Sequence, residues 1–489
     1  MNAVSRRGFI AGFGAGLGLL ALAPRLASAQ AVRAPVAAFD AETRIAEAGL
    51  GGAVAYALID PATGTVLAER QADLPLAPAS TLKSVTALYA LDRLGAGHRF
   101  ATRVFRAGNM LILAGGGDPV LDTDALDALA AATVAAEKGS GRGAPVSFAV
   151  WGGALPRIGR LDPAQDEHLP YNPSISGMVL NFNRVHLNWR RGEQGYRLSL
   201  QARGRKLSPR AYTASIAPVD RALPLFTYES GKRENWTIAR RSLGKSGSRW
   251  LPVRRPELYA GDVFQTLCRA RGLVLPNPEV IELLPDGQEI ARQDSPPLDE
   301  IIRGMMEYST NLTAEVIGLQ ASGAGDIGRS AAAMADWLRG QGIATGFAFH
   351  DHSGLSPENR VTARMMAQLA AGPGQARGLR GLMKTIPLRD AQGKRKPSDI
   401  AVEAKTGTLN FVSNLAGYAQ REGGRELAFA ILTGDEPRRA ASQGQELPEG
   451  VMGWTKRSKR LQQALIEGWA GEHGAPALAA ASSDMAGQP

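Results

Sequence analysis

Ser80 and Lys83 are the first residues in this sequence whose types and spacing could perform chemistry. The apolar residues that follow them recur at helical spacing as far as Leu94, so the two side chains are predicted to lie one turn apart on one helical face. A serine hydroxyl becomes a useful nucleophile when a base takes its proton, and a lysine whose pKa is lowered by burial can be that base. The same spacing recurs at Ser242 and Lys245, so this pattern alone is weak.

A second motif, Ser309-Thr310-Asn311, lies between two apolar helical segments at 298–306 and 312–319. The side chains of Ser309 and Asn311 are therefore predicted to project from a turn between two helices. Taken alone, the motif could simply cap a helix.

A third motif, Lys405-Thr406-Gly407-Thr408, ends a strand-like run at 400–404 and precedes two more, at 411–420 and 427–433. This arrangement predicts an antiparallel sheet with the motif at its edge, where Gly407 would let a ligand approach the backbone closely. Taken alone, Lys405 could be a solvated strand end.

In this order, Ser-x-x-Lys, Ser-x-Asn and Lys-Thr-Gly are the signature set of serine penicillin-recognising enzymes. The first two motifs are 229 residues apart, which leaves room for an insertion of domain size. The sequence resembles the penicillin-binding protein 4 type of D-alanyl-D-alanine carboxypeptidase/endopeptidase, peptidase family S13. Segments 113–119, 171–185, 350–356 and 359–362 also look like parts of that family, which extends the resemblance over nearly the whole chain after the N-terminal segment. Two departures are Thr310, where the family has Asp or Asn, and His352, where it has Gly.

The resemblance implies an α+β fold. A catalytic domain of the penicillin-binding/serine β-lactamase type, an antiparallel sheet with helices, would comprise residues 30–97 and 295–470. Mainly β domains would be inserted at 98–294. The composition of 471–489, rich in Ala, Ser and Gly, predicts a mobile tail. Short alternating segments between 98 and 294, and helical periodicity from 297 to 338, agree with this division.

The resemblance also implies an activity, the hydrolysis of D-Ala-D-Ala in peptidoglycan stem peptides and crosslinks through an acyl-enzyme at Ser80. Lys83 would be the base, with the backbone N–H groups of Ser80 and Thr408 as oxyanion hole. Ser309 would pass a proton to the leaving amine, and Asn311 would fix Lys83 and the substrate. The substrate's C-terminal carboxylate would be bound at Lys405, Thr406, Gly407 and Thr408. β-Lactam antibiotics would acylate Ser80 covalently.

The N-terminal segment predicts an export signal at 1–29. Arg6 and Arg7 precede an uncharged apolar run diluted by glycines, and Ala27-Ser28-Ala29 supplies small residues for cleavage. Twin arginines favour the twin-arginine route, and the general secretory route stays open. We therefore expect a periplasmic protein without a membrane span after cleavage.

Composition narrows the other possibilities. The 489 residues carry a formal charge of +10, with 6% aromatics, and the basic balance fits an anionic partner or a merely soluble basic protein. With few aromatics, no nucleic-acid platform is indicated. The single cysteine, Cys268, lies in an apolar stretch and is predicted to be a buried structural thiol. No metal or cofactor motif occurs, and His350 and His352 are predicted to be an exposed pair beside a turn.

Two other functions remain as alternatives, a catalytically idle module that binds cell-wall peptides and a β-lactamase. Retention of all the motif residues favours an enzyme, and the short Glu-x-x-x-Asn that would supply a β-lactamase's deacylating base is missing. For substrate choice, an acidic residue of the insertion, Asp162, Asp166 or Glu167, is expected to meet the free amine of a stem-peptide diamino acid, with ordinary solvated carboxylates as the alternative.

Overall fold

The structure is a computed structural model that describes residues 39–474. The export signal predicted at 1–29 and residues 475–489 of the predicted tail lie outside the described residues. The described helices are α1 (Ala41–Ala48), α2 (Lys83–Leu94), α3 (Thr123–Gly139), α4 (Pro256–Ala270), α5 (Leu298–Tyr308), α6 (Asn311–Ser322), α7 (Ile327–Gly340), α8 (Ala363–Leu369), α9 (Glu436–Ala441) and α10 (Val451–Glu472).

The strands of the described residues fall into five sheets. They are β1 (Ala53–Ile59), β2 (Val66–Arg70), β3 (Ala101–Ala107), β4 (Met110–Gly115), β5 (Ser147–Trp151), β6 (Arg184–Gly192), β7 (Gly195–Gln201), β8 (Ala214–Val219), β9 (Phe226–Ser230), β10 (Glu234–Ala239), β11 (Ser246–Pro252), β12 (Pro278–Ile281), β13 (Gln288–Asp294), β14 (Phe347–Ala348), β15 (Arg360–Val361), β16 (Lys384–Thr385), β17 (Ile400–Leu409), β18 (Val412–Arg421) and β19 (Glu426–Gly434).

The largest sheet combines strands from both ends of the described chain, in the order β16-β17-β18-β19-β1-β2, and every pair in it is antiparallel. Helices cover both of its faces, so alternate residues of β1 enter different cores. Ala57 and Ile59 pack in the core shared with α2, α5, α7 and α8, whereas Tyr56 and Leu58 pack with Trp454 of α10. The predicted α+β fold is confirmed, and the third motif lies on β17, whose residues after Ala404 have no partner strand on the β16 side.

The predicted insertion at 98–294 contains three sheets, β12-β5-β4-β3-β13, β8-β10-β9 and β11-β6-β7. Its two ends meet, because β3 and β13 pair with Ala101 opposite Asp294. That adjacency is what an inserted domain requires, and the boundaries themselves stay a prediction.

The insertion also contains two long helices that the strand-like pattern did not predict. α3 joins the parallel strands β4 and β5, and α4 packs against α3 and the same sheet. Cys268 is buried on α4, where burial raises the pKa of its thiol to about 12, as expected for a structural thiol.

No helix among residues 39–474 is long and apolar enough to cross a membrane.

Candidate active site

Ser80 lies in a 3-10 turn, Ala79–Leu82, that leads directly into α2. Lys83 Nζ donates a hydrogen bond to Ser80 Oγ at 2.8 Å, so the predicted proximity of the two side chains is confirmed. The helix proper begins at Lys83 instead of Thr81, and Ala79 adopts the left-handed conformation with φ of 46°. The tight turn places the serine side chain half-buried at the start of the helix, where it faces a cavity.

Ser309 and Asn311 occupy the turn between α5 and α6, as the sequence predicts. Ser309 ends α5 with φ of 58°, and Asn311 is the first residue of α6. Asn311 Oδ1 accepts a hydrogen bond from Lys83 Nζ at 2.8 Å. Thr310, which departs from the family's pattern, donates to Thr313 Oγ1, so the change at this position leaves Ser309 and Asn311 in place.

Lys405 lies on β17 and donates hydrogen bonds from Nζ to Ser309 Oγ at 2.9 Å and to the Thr406 carbonyl at 2.8 Å. The short strand β16 pairs only with Glu403 and Ala404, which leaves the following residues of β17 at an open edge. Thr408 is exposed there and lines the cavity.

Gly407 packs against the turn that carries the first motif. A Cβ atom at Gly407 would lie 2.6 Å from the Pro78 carbonyl oxygen and 3.1 Å from the Thr81 nitrogen. The glycine therefore makes room for the turn that carries Ser80, a role that the sequence analysis did not foresee, and the close approach of a ligand to its backbone stays a prediction. The close packing fixes the distance between the first and third motifs.

Burial controls the charge of the two lysines. It lowers the pKa of Lys83 to about 8, against the opposing effect of the nearby Asp351 and Glu315 carboxyls. Burial lowers the pKa of Lys405 well below its usual range as well, and the positive charges of Lys83 and Lys384 add to that shift.

Two buried carboxyls that the sequence analysis did not single out, Glu315 and Asp351, accept hydrogen bonds from the backbone of the turn beneath the catalytic residues. Glu315 accepts backbone hydrogen bonds from His352 and from Ser353, the latter at 2.8 Å, and the Ser353 carbonyl accepts from Lys83 Nζ at 2.7 Å. Asp351 accepts from the Gly354 and Ser356 nitrogens, which closes the same turn. Burial raises the pKa of Glu315. The sequence does contain a feature that points to Glu315. It is the one acidic residue in the apolar segment 312–319 and lies one helical turn after Asn311.

His352 lies outside this catalytic cluster and is fully buried, so the predicted exposed histidine pair is wrong for His352. Its Nε2 is 2.7 Å from Ser330 Oγ, and burial lowers its pKa to about 3. A Cβ at Gly318 would lie 2.3 Å from the imidazole, so the absence of a side chain at Gly318 makes the histidine possible here. His350 is exposed and lies 3.3 Å from Glu358 Oε2.

A cavity of about 1590 Å³ opens at Ser80. Asn311 and Thr408 line it beside the serine, and Tyr171 and Asp166 contribute to it from the inserted segment. The Asn311 amide also donates to the Tyr171 carbonyl at 3.2 Å, which ties the insertion to the site.

The three acidic residues considered for substrate choice have different surroundings. Asp162 is buried and accepts hydrogen bonds from the Ala164 nitrogen and the Gln165 amide. Glu167 lies 4.0 Å from Arg160 and does not line the cavity. Asp166 alone of the three lines the cavity.

Comparison with known proteins agrees with the site. The model of the D-Ala-D-Ala carboxypeptidase 3 (S13) family matches residues 38–457. A D-alanyl-D-alanine carboxypeptidase of Actinomadura sp. is 29% identical over 88% of this chain and 90% of its own length, and a carboxypeptidase of Mycobacterium tuberculosis is 28% identical over 78% and 77%.

The crystal structure of penicillin binding protein 4 from Haemophilus influenzae shares the fold, with a TM-score of 0.67 and 18% identity over 87% of this chain and 99% of that one. The family match covers most of the sequence, including all three motifs. This chain therefore belongs to the D-Ala-D-Ala carboxypeptidase family S13, a family of serine peptidases.

Proposed function

We propose that this chain is a periplasmic serine peptidase that cleaves the D-Ala-D-Ala end of peptidoglycan stem peptides through an acyl-enzyme at Ser80. The contact that carries the proposal is the 2.8 Å hydrogen bond between Lys83 Nζ and Ser80 Oγ, made by a lysine whose pKa is lowered to about 8. A neutral amine there can accept the hydroxyl proton. The export signal predicted at 1–29 supports the location, because this substrate lies outside the cytoplasm.

The reaction follows from the positions of the side chains. Ser80 Oγ attacks the carbonyl between the two terminal D-alanines while Lys83 takes its proton, and Asn311 holds the lysine at 2.8 Å. Backbone N–H groups of Ser80 and Thr408, which both line the cavity, would bind the oxyanion. Ser309, 2.9 Å from Lys405 Nζ, would return a proton to the departing amine. Water then hydrolyses the ester, releasing either the shortened stem peptide or one half of a crosslink.

Penicillin labelling tests this function. A β-lactam should acylate Ser80, and mass spectrometry should find the adduct on the peptide that contains Ser80. A Ser80→Ala variant should carry no label. Label on another residue, with Ser80 unmodified, would overturn the assignment, and the lack of any covalent adduct would favour the idle binding module. Rapid release of hydrolysed penicillin would favour a β-lactamase instead.

We expect Thr408→Val to raise the KM for peptides with a free C-terminal carboxylate. Thr408 lines the cavity on the same strand as Lys405, and a hydroxyl bonded to a carboxylate contributes about 1.5–3 kcal/mol, or roughly 10- to 100-fold in KM. Steady-state kinetics would measure it. Thr385→Val, on the neighbouring strand and outside this cavity, is the matched control. If the unmodified protein cleaved amidated peptides as well as free acids, carboxylate binding would be the wrong role.

We propose Asp166 as the residue that meets a free amine on the substrate's diamino acid. Asp166→Asn should raise the KM for such a peptide by roughly two- to fivefold and leave the KM for its N-acetylated analogue unchanged, because only the charged amine gains from the carboxylate. Glu167→Gln, which removes a neighbouring carboxylate that does not line the cavity, is the control. Equal losses with both peptides would contradict this assignment.

A further inference from the structure

The active-site cavity continues well beyond the catalytic residues. From Ser80 it passes the end of β17 at Thr408 and Asn410 and reaches α10, which lines it from Met452 to Glu467. At 1.5 Å per residue this helical wall is about 22 Å long, whereas two extended residues span roughly 7 Å. The volume of about 1590 Å³ also exceeds the range of about 300–1,000 Å³ typical of small-molecule sites. A dipeptide terminus leaves most of this space unused.

The far end of the cavity is cationic. We call its five basic residues the cationic shelf, and they line the cavity from α10 and from the loop that faces it: Arg389, Lys396, Lys456, Lys459 and Arg460.

Only one shelf residue is neutralised. Lys396 pairs with Glu467 at 2.7 Å, whereas the other four form no ion pair with any residue between 39 and 474. The carboxylates that line this end are Glu467 and Asp390, two against the five basic residues of the shelf. The shelf therefore presents uncompensated positive charge to whatever occupies this end of the cavity.

Hydrogen bonds hold the shelf in place. Gln463 of α10 accepts from the Arg389 nitrogen and donates to the Arg389 carbonyl, each at 2.8 Å. Arg460 donates to the Ala391 carbonyl at 3.1 Å. The opposite face of α10 is anchored by the buried Trp454 and Trp469. These contacts fix the backbone that carries the shelf, and the side chain of Arg460, before any ligand binds.

We infer that the cationic shelf binds carboxylates of the wall polymer that carries the scissile peptide, so that the protein prefers polymeric, multiply anionic substrate over short free peptides. The inference rests on the proposed function, because stem peptides carry free carboxylates and the shelf lines the same cavity as Ser80. A lipid surface fits less well, since the charges line a concavity and a bilayer is flat. The interaction is electrostatic and weakens with salt.

The double variant Lys456→Gln/Lys459→Gln tests the shelf. Both side chains are exposed and bond to no described residue, so the fold should be unaffected. We expect an about 5- to 10-fold lower rate on purified peptidoglycan sacculi at low salt, an unchanged rate on a short D-Ala-D-Ala peptide and unchanged penicillin acylation. Lys206→Gln/Lys232→Gln removes the same charge from exposed positions outside the cavity and should behave as the unmodified protein.

Three outcomes would overturn the inference that the cationic shelf binds the wall polymer. Equal rates of the shelf variant and the control on sacculi would overturn it, as would a sacculus rate that is insensitive to salt. Loss of binding to vesicles with anionic lipid, with sacculus cleavage retained, would identify a membrane site and also overturn it. Failure of the proposed function is distinguishable, because penicillin would then leave Ser80 unlabelled in the unmodified protein.

Discussion

Lys83→Met should abolish acylation of Ser80 by penicillin across the neutral pH range, with a loss of at least 10²- to 10⁴-fold. Methionine keeps the length and fills the buried space but removes the amine that donates to Ser80, Asn311 and the Ser353 carbonyl. The second-order rate constant of acylation measures the loss, and the thermal unfolding midpoint checks that the fold survives. Lys232→Met, at an exposed position outside the cavity, is the control and should acylate normally.

The pH dependence of acylation is a second, independent test of Lys83 as the base. If Lys83 acts as the base, only its neutral form is competent, and the pKa of about 8 means that this form increases as pH rises through 8. Wild-type acylation should therefore increase about tenfold per pH unit well below 8 and level off above it. A Lys83→Met variant that acylates at a near-normal rate would contradict the assignment and point to Ser309, backed by Lys405 at 2.9 Å.

The catalytic cluster could be predicted from the sequence because each of its members is encoded locally. A serine and a lysine three residues apart before a helix must share a face, and Ser309 and Asn311 must leave a turn between two helices. That Lys83 Nζ contacts Asn311 Oδ1, a partner 228 residues away, follows from the fold and not from any local pattern. The three-motif resemblance supplied this long-range information.

Other features of the site could not be predicted from the sequence, because they depend on contacts between residues that are distant in the chain. His352 is buried only because Gly318 has no side chain, and Gly407 is needed only because the Pro78–Thr81 turn packs on it. Helix α3, by contrast, carried local signals: Asp122 caps its first turn, and its sequence is rich in alanine. These local signals outweigh the alternating pattern of the flanking segments.

Gly354→Ala should slow acylation strongly although Gly354 performs no chemistry. Gly354 has φ of 81°, and a Cβ there would lie 1.8 Å from the Ala79 carbonyl oxygen, which precedes Ser80 in the chain. The left-handed conformation costs alanine about 1–2 kcal/mol, and relief of the clash costs about 1–3 kcal/mol more. Ala79 is itself buried in a left-handed conformation, so the turn that carries Ser80 must move. A shift of about 1 Å in the nucleophile can reduce the rate about 10²-fold.

Gly342→Ala is the control that separates the cost of the left-handed conformation from the cost of the clash. Gly342 has nearly the same φ, 85°, but nothing lies within 4 Å of its Cβ position. Alanine there should therefore lose stability only through the left-handed conformation. We expect Gly342→Ala to lower the thermal unfolding midpoint slightly and to acylate normally, whereas Gly354→Ala should lower the midpoint further and slow acylation. If the two variants lost the same stability and both acylated at the wild-type rate, the contact between Gly354 and Ala79 could not be what holds Ser80 in position. The difference between them therefore measures how strongly the turn at 351–354 fixes the nucleophile against Lys83.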